Sequence, residues 1–436
     1  MFRRHARVAA VLGCAALALG VAQGPSAAAQ APPAPQAPGA ALPAGDGWAS
    51  ADGGTTGGAK ADPAHTFTVT SRAELARALG DGDATPRLIR VKGTIDANTD
   101  DAGKPLSCAD YATDGYSLAA YLTAYDPATW GKAAPSGPQE DARAASAARQ
   151  YERVELKVGA NTTLLGVGRN ARLLGVSLQV KGVDNVIVRN LTFEDAFDCF
   201  PGWDPTDGDD GNWNSEYDNL VVYGSTHVWV DHNTFTDGRR PDSAQPSYFG
   251  RLYQQHDGEL DVVRGADLVT ASWNAFTDHD KTLMIGNSDS AGATDRGKLR
   301  VTLHHNLFKN IVERAPRVRF GKVDAYNNHF VAPSSGYAYS WGVGVESQLY
   351  AEANAFTVPS SVDPATIIKK WKGTALTAKN NQLGGATADL LALHNAGVPD
   401  EQLGGDAGWT PTLRTRVDAP RAVPGIVGKD AGAGRL

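Results

Sequence analysis

The chain of 436 residues carries 48 acidic and 41 basic residues, which gives a formal net charge of −7 at pH 7. Because there is no overall basic excess, a nucleic-acid partner is not expected. No segment after residue 29 has the roughly 18 consecutive apolar residues of a membrane span, so no membrane crossing is expected. The length exceeds that of an average domain, but a large all-β fold can occupy it as one unit.

The start of the chain has the pattern of an export signal. Three arginines before residue 8 are followed by an apolar run over residues 8–22 and by small residues up to Ala29. This pattern predicts a signal peptide over residues 1–29, and therefore a secreted, extracellular protein.

A change in composition separates a linker from the folded part. Residues 30–62 are rich in Pro, Ala and Gly, which predicts a flexible linker. We expect a single folded domain over residues 63–436. An exported protein could pair Cys108 with Cys199, although two buried thiols are the alternative.

Helical patterns are confined to two places. One covers residues 71–79, where Ser71 could cap the helix and Glu74 follows three residues later. The other covers residues 139–151, which are rich in Ala, Glu and Arg. Residues 395–436 are expected to form an extended tail that packs partly against the rest of the domain.

A weak Asn-x-Phe repeat runs through the remaining region. It occurs at Asn233, Asn274, Asn306, Asn328 and Asn354, and more loosely from Asn190. Repeats of about 20–50 residues indicate solenoids, and turns of short strands without helices favour a parallel β-helix. We expect the phenylalanines to stack inside and the asparagines to hydrogen-bond along the axis. The longer intervals predict protruding loops around a cleft.

A cluster of arginines stands out in this acidic chain. Arg314, Arg317 and Arg319 lie within six residues. Such like charges are costly side by side unless an anion lies against them. Val318 and Phe320 alternate with two of the arginines, so a strand would bury one face and present guanidinium groups on the other. An anion site and a solvated basic strand both remain open at this point.

Carboxylates are concentrated in three segments, at residues 212–218, 256–261 and 278–281. Carboxylates from neighbouring turns are the ligands that Ca²⁺ prefers. On a straight strand Asp257 and Asp261 would lie roughly 13 Å apart, so joint coordination requires a bend, which Gly258 permits. Solvated surface carboxylates are the alternative.

Three segments resemble signatures of the extracellular pectate lyases of polysaccharide lyase family 1. They are Val-Trp-Val-Asp-His-Asn-Thr-Phe at 228–235, Asp-His-Asp-Lys at 278–281 and Arg-Ala-Pro-Arg-Val-Arg-Phe-Gly at 314–321. The similarity covers roughly residues 63–360 in the family's order. It implies an all-β, right-handed parallel β-helix whose protruding loops form a cleft. It also implies a monomer that cleaves polygalacturonate, an acidic plant cell-wall polysaccharide, with the help of Ca²⁺.

The resemblance implies roles for six side chains. Asp218, Asp257 and Asp261 would hold the Ca²⁺, Arg314 would abstract a proton, and Lys281 and Arg319 would bind substrate carboxylates. Because arginine is ordinarily protonated, an activity optimum above neutral pH is expected.

Other residues of the matching segments have expected structural roles. Asp231 and His232 are expected to form structural hydrogen bonds near the cleft, and His304 and His305 to pack rather than bind metal. Asp324 stands where the family often has histidine, which predicts an altered contact at the edge of the cleft.

Three other functions are alternatives. A calcium-independent pectin lyase acts on a neutral, methyl-esterified chain, which would not call for three metal-binding acids beside a Lys/Arg cluster. A hydrolase would need paired carboxylates that flank the glycosidic bond. A non-catalytic β-helical protein that binds acidic polysaccharide would not need Arg314.

Overall fold

The computed structural model describes residues 41–80 and 82–436. The predicted signal peptide and the first residues of the predicted linker lie outside this part of the chain. Within it, none of the helices is both long and apolar enough to cross a membrane.

Short strands make up most of the described chain. In chain order they are Thr66–Val69 (β1), Arg87–Val91 (β2), Thr94–Asp96 (β3), Glu155–Lys157 (β4), Thr162–Gly166 (β5), Arg172–Leu174 (β6), Ser177–Lys181 (β7), Asp184–Arg189 (β8), Thr192–Glu194 (β9), Gly202–Asp204 (β10), Asn212–Asn214 (β11), Leu220–Tyr223 (β12), Thr226–Asp231 (β13), Thr234–Thr236 (β14), Ser247–Tyr248 (β15), Arg251–Leu252 (β16), Leu260–Val263 (β17), Asp267–Ser272 (β18), Ala275–Lys281 (β19), Met284–Ile285 (β20), Arg300–His304 (β21), Leu307–Glu313 (β22), Arg317–Val318 (β23), Lys322–Tyr326 (β24), His329–Val331 (β25), Trp341–Val343 (β26), Gln348–Glu352 (β27), Ala355–Thr357 (β28), Ile368–Lys370 (β29), Thr377–Lys379 (β30), Asn381–Leu383 (β31) and Ala386–Ala388 (β32).

The strands form three long sheets. Sheet 1 has the order β1-β2-β5-β8-β13-β18-β21-β24-β27-β30, sheet 2 the order β3-β6-β9-β14-β19-β22-β25-β28-β31-β32, and sheet 3 the order β29-β26-β23-β20-β17-β12-β7-β4. Neighbouring strands pair in parallel, as β12 does with β17, apart from the antiparallel pair β31 and β32. Because the chain visits the three sheets in turn, it winds into the predicted right-handed parallel β-helix. The antiparallel pairs β10–β11 and β15–β16 lie in loops that leave this coil.

Most of the α-helices lie in the connections between the first strands of the coil or after its last strand. The α-helices of the described residues are Arg72–Leu79 (α1), Cys108–Tyr111 (α2), Leu118–Ala124 (α3), Pro127–Trp130 (α4), Pro138–Val154 (α5), Gly292–Asp295 (α6), Leu390–Gly397 (α7) and Val423–Asp430 (α8). The 3₁₀ turns are Trp48–Ser50, Gly57–Lys60, Pro63–His65, Asp242–Ala244, Pro364–Ile367, Pro399–Glu401 and Pro420–Ala422. Both predicted helices are confirmed, as α1 with Ser71 as its N-cap and as α5.

The Asn-x-Phe repeat builds the interior of the coil. Its phenylalanines stack from turn to turn with ring centroids 4.4–5.0 Å apart. From Asn233 to Asn354, each ladder asparagine donates its backbone N–H and its side-chain amide to the side-chain oxygen of the asparagine one turn later, at 2.9–3.2 Å, and the series ends at Asn381. Leu191, not Asn190, takes the first ladder position, since its N–H donates to Asn233 at 3.0 Å.

Removing one rung of the ladder should destabilise the coil. Asn306 is fully buried, accepts from the Asn274 backbone N–H and donates to the Ala271 carbonyl oxygen at 2.9 Å each. Asn306→Ala leaves these two buried backbone groups without a hydrogen-bond partner. We therefore expect a loss of about 3 kcal/mol in the free energy of unfolding. Chemical denaturation measures this loss. The exposed Asn170 gives a control, Asn170→Ala, and equal stability of the two variants would contradict the ladder's role.

Residues 42–60 depart from the linker predicted over residues 30–62. The backbone N–H of Trp48 donates to Thr302 and that of Ala49 to Thr270, both at 3.0 Å and both on sheet 1. Leu42 packs in an apolar cluster that includes Trp229 of the same sheet. Outward-facing threonines and apolar side chains of sheet 1 therefore hold this segment, which composition alone does not show.

The last residues also lie along the coil. Arg414 pairs with Asp324 and Glu352, and the apolar side of α8 packs on Ala355. Further on, the Gly434 N–H donates to Asn190 at 2.7 Å. The tail thus returns from the late turns to an early one.

Cys108 and Cys199 form a disulfide, with their Cα atoms 5.3 Å apart. The bond ties α2 to the loop that follows β9. Of the two states that the sequence left open, the structure therefore has the paired one.

Candidate functional site

The predicted calcium ligands converge where two neighbouring turns enter sheet 3. Asp218 lies just before β12, Asp257 lies just before β17, and Asp261 is in β17. A Cβ added at Gly258 would lie 2.6 Å from Asp218 Oδ1 and 2.8 Å from Asp261 Oδ1. The Gly258 N–H donates to Asp218 at 2.8 Å. The chain bends at Glu259, between Asp257 and Asp261, and Gly258 passes where a larger residue would fill the space between two carboxylates.

These carboxylates destabilise one another's charged form. Burial, followed by the charges of Asp261 and Asp257, raises the pKa of Asp218 well above its ordinary value. Burial, followed by the charge of Asp257, raises the pKa of Asp261 to about 7. Such a buried group of like charges is stabilised by a cation, and a set of carboxylate oxygens suits Ca²⁺. The three residues therefore fit the predicted ion.

Two cationic side chains border the acids. Lys281 ends β19, and its Nζ lies 3.5 Å from Asp257 Oδ1. Arg314 follows β22 in a left-handed conformation with φ of 62°, and its Nε donates to Glu313 at 2.9 Å. Burial lowers the pKa of Arg314, but the charges of Glu313, Asp257 and Asp261 raise it overall. The candidate base and the candidate ligands thus share one electrostatic environment.

The three arginines of the cluster have three different surroundings. Arg319 is mostly buried, and its Nε donates to Asp289 at 2.7 Å while Nη1 donates to the Gly286 carbonyl at 2.8 Å. Arg317 instead lies over the ring of Trp371, with Cζ 4.2 Å from the ring centroid. The three arginines therefore do not form one uniform basic face, because each guanidinium has its own protein partners.

A second, more deeply buried cluster lies behind Asp257, and sequence analysis did not identify it. His279 Nδ1 lies 2.6 Å from Asp237 Oδ1, and His256 Nδ1 lies 2.8 Å from Asp242 Oδ1. His256 Nε2 contacts Asp195 at 3.1 Å. Burial lowers the pKa of His256, but hydrogen bonds to Asp195 and Asp242 raise it to about 9. The cluster is thus a set of histidine–aspartate ion pairs.

This cluster contains three side chains whose potential metal-ligand atoms lie close together. Among the described residues, Asp237, Asp242 and His279 are the one set of three His, Cys, Asp or Glu whose ligand atoms all lie within 4.8 Å of one another. The closest pair, His279 and Asp237, is at hydrogen-bond distance, so these two side chains are bonded directly to each other. The contact that links this cluster to the candidate calcium site is His279 Nε2 to the Asp257 carbonyl oxygen, at 2.7 Å.

Two expected cleft contacts lie elsewhere. Asp231 makes the predicted structural hydrogen bonds, to Arg189 and His232 at 2.7 Å and to Ser272 at 2.6 Å. It ends β13 in sheet 1, however, whereas the acids of the site enter sheet 3. Asp324 is also in sheet 1, and it pairs with Arg414 of the tail instead of lying at the edge of the cleft. The winding of the coil decides which of the three sheets a strand enters, so these two locations appear only in the structure.

The expectation for the two adjacent histidines is confirmed. His304 stacks on Tyr326 with ring centroids 5.1 Å apart, and His305 stacks on Trp273 at 4.2 Å. Burial lowers the pKa of both histidines, so each packs as a neutral ring.

Comparison with known proteins agrees with this geometry. A family model described as pectate lyase matches residues 31–123 and 135–396. The chain belongs to the pectate lyase family. Its sequence is 48% identical to a pectate lyase of Bacillus subtilis (strain 168) over 396 residues, which are 90% of this chain and 92% of the relative.

More distant relatives and solved structures give the same family. Pectate lyase E of Dickeya dadantii (strain 3937) is 38% identical over 354 residues, or 79% of this chain and 76% of the relative. A structure of a pectate lyase bound to a hexasaccharide superposes with a TM-score of 0.87 at 47% identity, covering 92% of this chain and 99% of the other. The predicted enzyme class, a polysaccharide lyase with pectate lyase activity, is therefore confirmed.

Proposed function

We propose that this pectate lyase cleaves α-1,4-linked polygalacturonate by β-elimination and depends on Ca²⁺. The observation that carries the proposal is the convergence of Asp218, Asp257 and Asp261, whose mutual repulsion and burial raise the pKa of two of them. An oligosaccharide bound to a solved relative supports the class of substrate. Bound by these acids, Ca²⁺ would neutralise their charge and that of a galacturonate carboxylate.

Arg314 is proposed to remove the proton at C5 of a galacturonate. This proton is poorly acidic because its loss adds negative charge beside a carboxylate. Once the proton is removed, its electron pair forms the C4–C5 double bond of the new non-reducing end, and the bond from C4 to the bridging oxygen breaks. The departing oxygen takes a proton from water and becomes the hydroxyl of the new reducing end. Lys281 and Arg319 would stabilise the developing charge on the sugar carboxylate. Arg319 is suited to this role because Asp289 and Gly286 already fix its orientation.

The protonation of Arg314 sets the expected pH dependence. A base must lose its proton before it can act, and the pKa of Arg314 is raised overall by Glu313, Asp257 and Asp261. A cation that neutralises Asp257 and Asp261 would remove part of this rise in the pKa of Arg314. The change favours the deprotonated form of Arg314, which the reaction needs. The rate should still rise with pH, so we expect an optimum above neutral pH. A clearly acidic optimum would count against Arg314 as the base.

The test of this function is the ultraviolet absorbance of the unsaturated product. Polygalacturonate with Ca²⁺ should give a rising signal, and an excess of chelator should abolish it. No signal in Ca²⁺ would overturn the lyase proposal, whereas full activity in chelator would overturn only the metal dependence. Methyl-esterified pectin without Ca²⁺ is the control for a pectin lyase, and it should be a poor substrate.

We also propose that residues 1–29 direct secretion. The disulfide between Cys108 and Cys199 supports this, since disulfides persist in oxidising compartments. Mass spectrometry of the exported protein should find a chain that begins near residue 30.

A further inference from the structure

The three candidate calcium ligands are held in different ways. Asp218 accepts a hydrogen bond from the Gly258 N–H at 2.8 Å, and Asp261 accepts one from the Met284 N–H at 2.9 Å. The main contact of the Asp257 side chain is with Lys281, at 3.5 Å. Its backbone carbonyl oxygen, however, accepts from His279 Nε2 at 2.7 Å. Asp257 is therefore held more closely through its peptide group than through its carboxylate.

His279 itself is held rigidly. Its side chain is 2% exposed, and the Asp237 carboxylate, equally buried, lies 2.6 Å from Nδ1. A carbonyl oxygen can only accept, so Nε2 carries the hydrogen of the contact with Asp257. Because both ring nitrogens make these contacts, the imidazole ring is held in one orientation.

We propose that Asp237 and His279 are positioning residues for the calcium site. The pair fixes the peptide between Asp257 and Gly258 and so sets the direction of the Asp257 carboxylate. Strand β19 then supplies both groups that hold Asp257, since His279 contacts its backbone and Lys281 contacts its side chain. The inference rests on the proposed role of Asp257 as a calcium ligand. Outer contacts of this kind commonly change metal affinity by about 10–100-fold.

The test compares variants of His279 by calorimetric titration with CaCl₂ in the absence of substrate. His279→Ala should raise the Kd for Ca²⁺ by about 10–100-fold. At saturating Ca²⁺, its kcat should stay within about threefold of the parent enzyme, because the contact acts on occupancy and not on the reacting atoms. His279→Gln keeps an N–H donor near the position of Nε2, so it should recover at least part of the affinity.

A matched control comes from another buried histidine. His394 is fully buried, and its ring nitrogens contact the backbone carbonyl oxygens of Ala365 and Glu401 at 3.2 and 3.0 Å. His394→Ala should lower thermal stability while leaving the Kd for Ca²⁺ unchanged. An equal loss of calcium affinity in this variant would mean that the effect at His279 reflects general destabilisation.

The outcomes separate this inference from the proposed function. If the parent binds Ca²⁺ and forms unsaturated product, but His279→Ala has the parent's Kd, the positioning role is wrong and the function stands. A parent that binds no Ca²⁺ overturns the positioning role and the calcium dependence, whereas the lyase activity is still tested by the formation of unsaturated product. If His279→Ala does not fold, Asp237→Asn replaces it, since this variant keeps the size of the side chain but weakens its hold on Nδ1. If the Kd for Ca²⁺ is unchanged in Asp237→Asn, the positioning role of the pair is likewise wrong.

Discussion

Replacing Arg314 by lysine is expected to lower kcat on polygalacturonate by about 1,000-fold, which is within the usual contribution of a positioned general base. The change keeps a positive charge but removes the guanidinium whose Nε contacts Glu313 at 2.9 Å. Steady-state measurements at saturating Ca²⁺ and substrate give kcat directly. Calorimetry on the same variant should show a Kd for Ca²⁺ within about threefold of the parent, because the three acids are unchanged.

The neighbouring Arg317 provides the control. It lies three residues away and over the ring of Trp371, so its charge is engaged outside the proposed chemistry. Arg317→Lys should change kcat by less than about fivefold, since it touches none of the proposed reacting groups. Near-normal turnover in Arg314→Lys and in Arg314→Ala would refute the proposed base while leaving the fold and the calcium site in place.

These two variants test whether adjacent arginines have separate functions. Arg314 is in a turn between β22 and β23, and the charges of Glu313, Asp257 and Asp261 act on it. Arg319 is oriented by Asp289, whereas Arg317 is oriented by an aromatic ring. The backbone places the three side chains against different elements, so a single strand pattern did not describe them.

The coil was predictable from sequence because its information is local and repeated. Each asparagine of the ladder and each phenylalanine of the stack recurs at the same two-residue spacing, so one turn predicts the next. A bend between Asp257 and Asp261 was likewise predictable, because on a straight strand the two residues would lie too far apart to coordinate one ion together. These features depend on distances that a short segment determines by itself.

The partners of the site were not predictable, because they come from segments outside the repeat. Asp242 lies in a loop after β14, and its contact with His256 depends on how that loop folds back. Arg414 reaches Asp324 across 90 residues of sequence. No periodicity relates such segments, so their contacts appear only in three dimensions.

The calcium-free stability should depend on pH through Asp261. Its pKa in the folded protein is about 7, raised from 3.8, so the folded state holds more protons than the unfolded state between these values. Stability contributed by this group therefore falls as pH rises from about 4 to about 7. Thermal unfolding in chelator across this range should show the decline, and added Ca²⁺ should oppose it at the alkaline end.

Asp261→Asn should accordingly have opposite effects with and without Ca²⁺. Asparagine keeps an oxygen for the Met284 N–H but removes one buried negative charge, so in chelator at pH 8 the variant should unfold at a higher temperature than the parent. Loss of a buried carboxylate–cation contact costs on the order of 3 kcal/mol, so the Kd for Ca²⁺ should rise by about 100-fold. In excess Ca²⁺ the parent should then be the more stable protein.

The control for this electrostatic effect is pH 4, where Asp261 in the folded parent and the asparagine of the variant are both neutral. The difference in unfolding temperature between the two proteins in chelator should disappear there. A variant that is less stable than the parent in chelator at pH 8 would show that Asp261 is not repelled by its neighbours, and the electrostatic argument for the cation would fail.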